Sequence, residues 1–188
     1  SDHAQSLAAV VLPGYIYTST DAGVSWTERL DNKSRNWRSI ASSSDGTNLA
    51  AVEGSFLGGS IYTSTDAGAT WTVQTSAPSR NWQAIASSSD GTNLAVVAFE
   101  GSIYTSTDAG ATWTEQTDAG SRNWFSIASS SDGTNLAAVV NGGSIYTSTD
   151  AGATWTEQTD AGSSSWQAIA SSSDGMVRVW MQAITQYA

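Results

Sequence analysis

The residues of this 188-residue chain that could do chemistry are few, and most of them recur at fixed intervals. Cysteine is absent and His3 is the single histidine. That argues against a thiol nucleophile, a thiolate or multi-histidine metal centre, and a Ser–His–Asp triad. Three arginines recur at one place in the repeat, Arg35, Arg80 and Arg122, each followed by Asn-Trp; the fourth unit has Ser164 there. A guanidinium binds carboxylates through two parallel hydrogen bonds, so an arginine cluster could hold an acidic ligand. The bland reading is pairing with nearby acids such as Asp31 or Asp118. Carboxylates recur as two sets, Asp21, Asp66, Asp108 and Asp150, and Asp45, Asp90, Asp132 and Asp174. Four equivalent copies of each suggest turn-building rather than a catalytic pair or a calcium site. The tyrosines Tyr17, Tyr62, Tyr104 and Tyr146 are equally periodic.

These residues are spaced by an internal repeat. The phrase Ser-Thr-Asp-Ala-Gly-x-(Ser/Thr)-Trp ends at Trp26, Trp71, Trp113 and Trp155, at intervals of 45, 42 and 42 residues. A second tryptophan recurs at Trp37, Trp82, Trp124 and Trp166, and Ser-Ser-Ser-Asp-Gly precedes each second strand. Residues 102–121 and 144–163 are identical. One unit reads as four short strands: Trp82–Ser87, with Trp82, Ala84 and Ala86 on one side and Ile85 on the other, then 93–97, 102–105 and 112–115. Four strands in about 42 residues is the blade of a β-propeller. The expected fold class is all-β: a small propeller of about four four-stranded blades.

The phrase Ser-x-Asp-x-Gly-x-Thr-Trp resembles the Asp-box, or bacterial neuraminidase repeat, at residues 19–26, 64–71, 106–113 and 148–155. The resemblance implies a turn between the third and fourth strands of each blade. Each turn is expected to use Asp21, Gly23 and Trp26; Asp66, Gly68 and Trp71; Asp108, Gly110 and Trp113; and Asp150, Gly152 and Trp155. The aspartate would accept amides two residues on, as in an Asx-turn, and the glycine would take positive φ. Sialidases, sortilin-like receptors and photosystem assembly propellers carry this box, so it implies fold rather than activity. It also implies an extracellular or organelle-lumen location; the residues themselves indicate no compartment. Sialidases use an arginine triad for the sugar carboxylate, but their Arg-Ile-Pro phrase is absent and no Tyr–Glu nucleophile pair is identifiable.

Strand order sorts the loops onto two ends of the blades. The aspartate turns fall at one end. The loops that vary between units fall at the other: 12–14, 53–59, 98–101 and 141–143, with the inter-blade linkers. Candidate ligand-binding residues there are Arg35, Arg80 and Arg122, expected around the mouth of a central channel, and Phe56, Leu57 and Phe99. The expected role is a non-catalytic binding or assembly module for a protein partner. Alternatives are lectin-like binding of acidic glycans, a sialidase-type enzyme, or a natural or engineered propeller fragment that self-assembles. A formal charge of −10 and a pI near 4.1 argue against nucleic acid and anionic membranes. No cofactor or metal is expected.

The phase of the repeat raises a closure problem. Residues 6–10 match a second strand and 166–171 a first strand, so the expected domain, residues 1–175, has a blade closed by both chain ends. Residues 176–188 depart from the repeat. Val177–Ile184 alternates like a seventeenth strand and is expected to displace the N-terminal strand or to pair with another chain.

Overall fold

The computed structural model describes residues 6–29 and 33–173. Asp31, Asp174, Trp180 and the segment Val177–Ile184 lie outside the described residues. The described chain is all-β apart from one short 3-10 turn, Thr159–Ala161. It forms four antiparallel meanders in sequence order. The first contains β1 (Leu7–Val10), β2 (Ile16–Ser19) and β3 (Thr27–Arg29). The second contains β4 (Trp37–Ser42), β5 (Leu49–Glu53), β6 (Ile61–Ser64) and β7 (Thr72–Val73). The third contains β8 (Trp82–Ser87), β9 (Leu94–Ala98), β10 (Ile103–Ser106) and β11 (Thr114–Gln116). The fourth contains β12 (Trp124–Ser129), β13 (Leu136–Gly143), β14 (Ile145–Ser148) and β15 (Thr156–Gln158), and β16 (Ser164–Ser165) pairs back onto β13. First strands lie beside first strands, β4 against β8 and β8 against β12. These are the four blades that the repeat predicts, set side by side as in a β-propeller.

The core lies between blades. Trp82, Ile85, Val96 and Tyr104 of the third blade pack on Ala50, Val52 and Ile61 of the second. Equivalent clusters join blades one and two, and blades three and four. One expectation fails here. Strict alternation along Trp82–Ser87 places Trp82 with Ala84 and Ala86, but Trp82 shares the cluster of Ile85, while Ala84 and Ala86 face the next blade. The cause is a β-bulge. Trp82 pairs Ala98 and Ala84 pairs Val97, so two residues oppose one and the alternation flips. The same shift occurs at Trp37/Ser39 and Trp124/Ser126. Each bulge turns a tryptophan into the face of the preceding blade. There it meets the tyrosine of its own third strand edge-on, with centroids 5.0, 5.3 and 5.1 Å apart.

The Ser-Thr-Asp-Ala-Gly turns are closed hydrogen-bond networks. In the third blade, Asp108 Oδ1 accepts the Thr112 amide at 2.8 Å and the Ser106 hydroxyl at 2.8 Å, and Oδ2 accepts the Thr112 hydroxyl at 2.6 Å. The Gly110 amide donates to Ser106 Oγ, and Trp113 Nε1 donates to the Gly110 carbonyl. Asp21, Asp66 and Asp150 repeat the pattern. The accepted amide is four residues on, not two. The i+2 pattern belongs to the other set, where Asp45, Asp90 and Asp132 accept the amides of Thr47, Thr92 and Thr134. The difference arises because two consecutive residues, Ala109 at φ 57° and Gly110 at φ 90°, are left-handed and carry the chain further round. Gly110 is also crowded: a Cβ there would lie 2.9 Å from Thr63 Cγ2 of the preceding blade.

The N-terminal blade holds strands two to four, as expected, but residues 166–171 do not complete it. They form no strand, and no backbone hydrogen bond among the described residues joins them to β1. They are held on the fourth blade instead. Trp166 Nε1 donates to the Gly143 carbonyl, and the Ile169 amide donates to Ser126 Oγ.

Two outcomes are expected. Gly120 has φ 72° and open space within 4 Å of where a Cβ would sit, whereas Gly110 has both positive φ and a close neighbour. Gly120→Ala should therefore cost about 1 kcal/mol and Gly110→Ala roughly 2–4 kcal/mol in urea unfolding. Equal losses would show that contact between blades does not constrain Gly110. The second concerns acid. Hydrogen bonds to Ser25, Thr70 and Thr154 hold Asp21, Asp66 and Asp150 down at about 2, from an ordinary 3.8. A depressed folded-state pKa stabilises above the unfolded value and stops doing so as pH falls through the folded one. The melting temperature should thus be flat from neutrality to about pH 5 and drop between about pH 4 and 2. A melt unchanged down to pH 2 would contradict ionised turn aspartates.

Candidate functional site

Phe56, Leu57, Phe99 and the three arginines all lie at one end of the blades. Phe56 and Leu57 precede β6 while Asp66 follows it, so the strand separates the two ends. The arginines are placed by backbone clamps between blades. Arg35 exchanges both amide hydrogen bonds with Gly14, at 2.9 and 2.9 Å. Arg80 does so with Gly59, and Arg122 with Gly101. Each clamp ties a linker to the second-to-third-strand turn of the blade before it. Gly59 is required there, since a Cβ would strike the Glu53 carbonyl.

The Arg35 and Arg122 side chains lie on the tyrosines of the third strands, and Arg80 hydrogen-bonds the Tyr104 hydroxyl. The Arg35 guanidinium carbon is 5.3 Å from the Tyr62 ring centroid and 5.8 Å from that of Trp37, and its Nε donates to Tyr62 Oη at 3.1 Å. The Arg122 guanidinium carbon is 4.7 Å from the Tyr146 ring, and its Nε donates to the Ala119 carbonyl. Burial pushes the Tyr104 hydroxyl up, opposed by a hydrogen bond to Arg80. Tyr146 is raised for the same reason and is opposed by the charge of Arg122. The clamp explains this direction: it fixes the arginine backbone on the preceding blade, and the nearest apolar partner for its stem is the Trp–Tyr pair of its own blade. Asp118, one of the expected acid partners, instead accepts the Trp155 amide at 2.7 Å.

The aromatic part of this end is open. Phe56 is 86 % exposed and Leu57 98 % exposed, both on the three-residue insertion of the second blade. Phe56 meets Phe99 of the third blade edge-on, with centroids 6.4 Å apart. The Leu57 amide donates to Ser55 Oγ within its own loop, which is anchored by the Gly54 amide on the Asn36 carbonyl and by the Gly59–Arg80 clamp; the Phe99 amide donates to the Asn81 carbonyl. The result is an apolar ridge across two blades; exposed Arg80 is clamped through its backbone to Gly59, at the end of the loop that carries Phe56 and Leu57. The aspartate turns carry no lysine or arginine, so the opposite end is acidic. Trp37, Trp82, Trp124 and Trp166 are buried, which removes them as sugar-stacking platforms. Among the described residues, no group of three or more His, Cys, Asp or Glu is arranged to hold a metal ion.

The chain matches no protein-family model and no curated protein. Solved structures do match. YCF48 bound to a D1 peptide superposes with a TM-score of 0.67 at 16 % identity, covering 90 % of this chain and 54 % of that one. A nidogen/laminin complex gives 0.67 at 15 % identity, covering 84 % and 63 %. A GH74 enzyme from Niastella koreensis gives 0.63 at 23 % identity, covering 76 % and 21 %. At these identities the likeness shows fold alone: this chain is a β-propeller spanning about half the length of the YCF48 chain it matches.

Proposed function

We propose that this Asp-box propeller is a non-catalytic binding module that takes a protein segment on its variable end. The observation that carries this reading is the ridge of Phe56, Leu57 and Phe99. Large apolar side chains held in water on anchored loops cost solubility and add nothing to the blade core. Their best use is as anchors inserted into a partner. Arg80 beside them would favour a ligand with a carboxylate near its apolar residues. Among the solved propellers, one is described with a bound peptide and another in a complex with laminin, which supports a protein ligand in general terms. A catalytic reading has less support. The seven described repeat aspartates are each engaged in their own turn, and Arg35 and Arg122 lie against aromatic faces.

Selection of a displayed peptide library against the chain tests this. Recovered peptides should be aromatic or aliphatic with an acidic neighbour. Phe56→Ser and Leu57→Ser should each weaken their binding at least tenfold, with melting shifted by less than about 2 °C because both side chains are exposed. Asp108→Ala should lower the melting temperature instead. Peptides that bind both serine variants unchanged, or strong sialoside turnover, would overturn the proposal. Binding to acidic members of a glycan array with peptides ignored would favour the lectin alternative.

A further inference from the structure

The chain holds both halves of one missing contact, at opposite ends of its blade series. Among the described residues, the first blade has no first strand. Leu7 on β1 is 41 % exposed, whereas its counterparts Leu49, Leu94 and Leu136 are 4, 4 and 2 % exposed. Ala8, Ala9 and Val10 are half-buried, while every counterpart in the other blades is buried. The outer face of the same blade is also uncovered. Tyr17 is half-buried where Tyr62, Tyr104 and Tyr146 are buried, and Trp26 is 44 % exposed. Trp71, Trp113 and Trp155 instead pack on the cores between blades.

The other end carries the complement. Ser164 pairs Gly143 as Arg35, Arg80 and Arg122 pair Gly14, Gly59 and Gly101. Beyond it, the Ile169 amide donates to Ser126 Oγ just as the Ile85 amide donates to Ser39 Oγ. The Ser131 amide reaches the Ser173 carbonyl as Ser44 reaches Ser89 and Ser89 reaches Ser131. Residues 164–173 are therefore seated as the inner edge of a further blade. Trp166 and Ile169 sit on Ala128, Ala137, Val139 and Ile145 of the fourth blade. Among the described residues, that cluster has no counterparts to Val96, Tyr104 and Trp113, which complete the same contact between blades two and three. The repeat names the absent residues: Ala9, Tyr17 and Trp26.

We infer that Trp166–Ser171 of one copy adds as the first strand to β1 of a second copy, and reciprocally, so that two copies close one ring. The register follows from the three blades that make this pairing internally: Ser171 opposite Leu7, Ala170 opposite Ala8, Ile169 opposite Ala9 and Ala168 opposite Val10. Ala9, Tyr17 and Trp26 of the first blade then cover the partner copy's open cluster. Two copies are indicated because one chain follows the YCF48 propeller over 90 % of its own length yet spans 54 % of that chain. The 54 % span leaves about as much propeller again for a second copy to supply. Addition of a strand to an open sheet edge satisfies backbone groups and buries apolar side chains in one step.

The absence of cysteine allows a direct test. Ser42/Leu49, Ser87/Leu94 and Ser129/Leu136 each adjoin a hydrogen-bonded pair, so they are non-hydrogen-bonded neighbours with close side chains. Leu7→Cys with Ser171→Cys in one chain should, under mild oxidation, give a species of twice the chain mass on non-reducing electrophoresis. Reductant should return it to one chain mass. Light scattering on the unmodified protein should also give twice the 19.5-kDa chain mass. A disulfide-containing product at single-chain mass would mean closure within one copy. That result would overturn the inference, as would a folded variant that does not cross-link, an unmodified chain of single mass, or open-ended polymers.

Discussion

A four-stranded sheet rich in Ala, Val and Ile has two apolar faces, and in this chain each face is buried only against the next blade. That constraint organises everything else. The bulged tryptophan at the start of each first strand is the wedge that meets it. Trp37, Trp82 and Trp124 each reach the preceding blade and pin the tyrosine of their own third strand. Stability in such a series is a sum of blade terms and nearest-neighbour contacts. The faces left uncovered among the described residues retain the composition of covered ones. The exposed Leu7 and Trp26 are the visible consequence.

The two ends of the blades divide the labour. At one end, seven described aspartates each bind hydroxyls and amides of their own turn, and the Asn48 and Asn93 side chains donate to the Asp90 and Asp132 carbonyls of the following blade. These turns work locally and between neighbours, so their sequence scarcely varies. At the other end the chain is held by backbone pairs between glycine and the linker, which constrain main-chain position and leave side chains free to differ. That is why the insertion carrying Phe56 and Leu57 is accommodated without disturbing β5 or β6. A recognition surface on this end can change without cost to the core.

The repeat placed the strands well because its signals are local. Turn residues recur at fixed offsets, and alternating apolar residues mark a sheet, so β8 begins and ends where the pattern says. The turn aspartates were likewise legible as staples, from four equivalent copies. Their reach was not. An amide four residues on is accepted because Ala109 joins Gly110 in the left-handed region, and nothing in the type of an alanine announces positive φ.

Sequence alone therefore determined the blade, its number and the assignment of loops to two ends, since each depends on spacing within about 42 residues. Tertiary structure decided three things that spacing cannot encode. Bulges at the tryptophans reversed which side chains share a face, because alternation assumes one residue per rung and the bulge inserts two. Arginine direction depended on a clamp to another blade and on the tyrosine of the third strand, so Arg35 and Arg122 lie on aromatic rings. The meeting of the two chain ends depended on the angle between successive blades. Within one chain, no backbone hydrogen bond among the described residues joins β1 to residues 166–171.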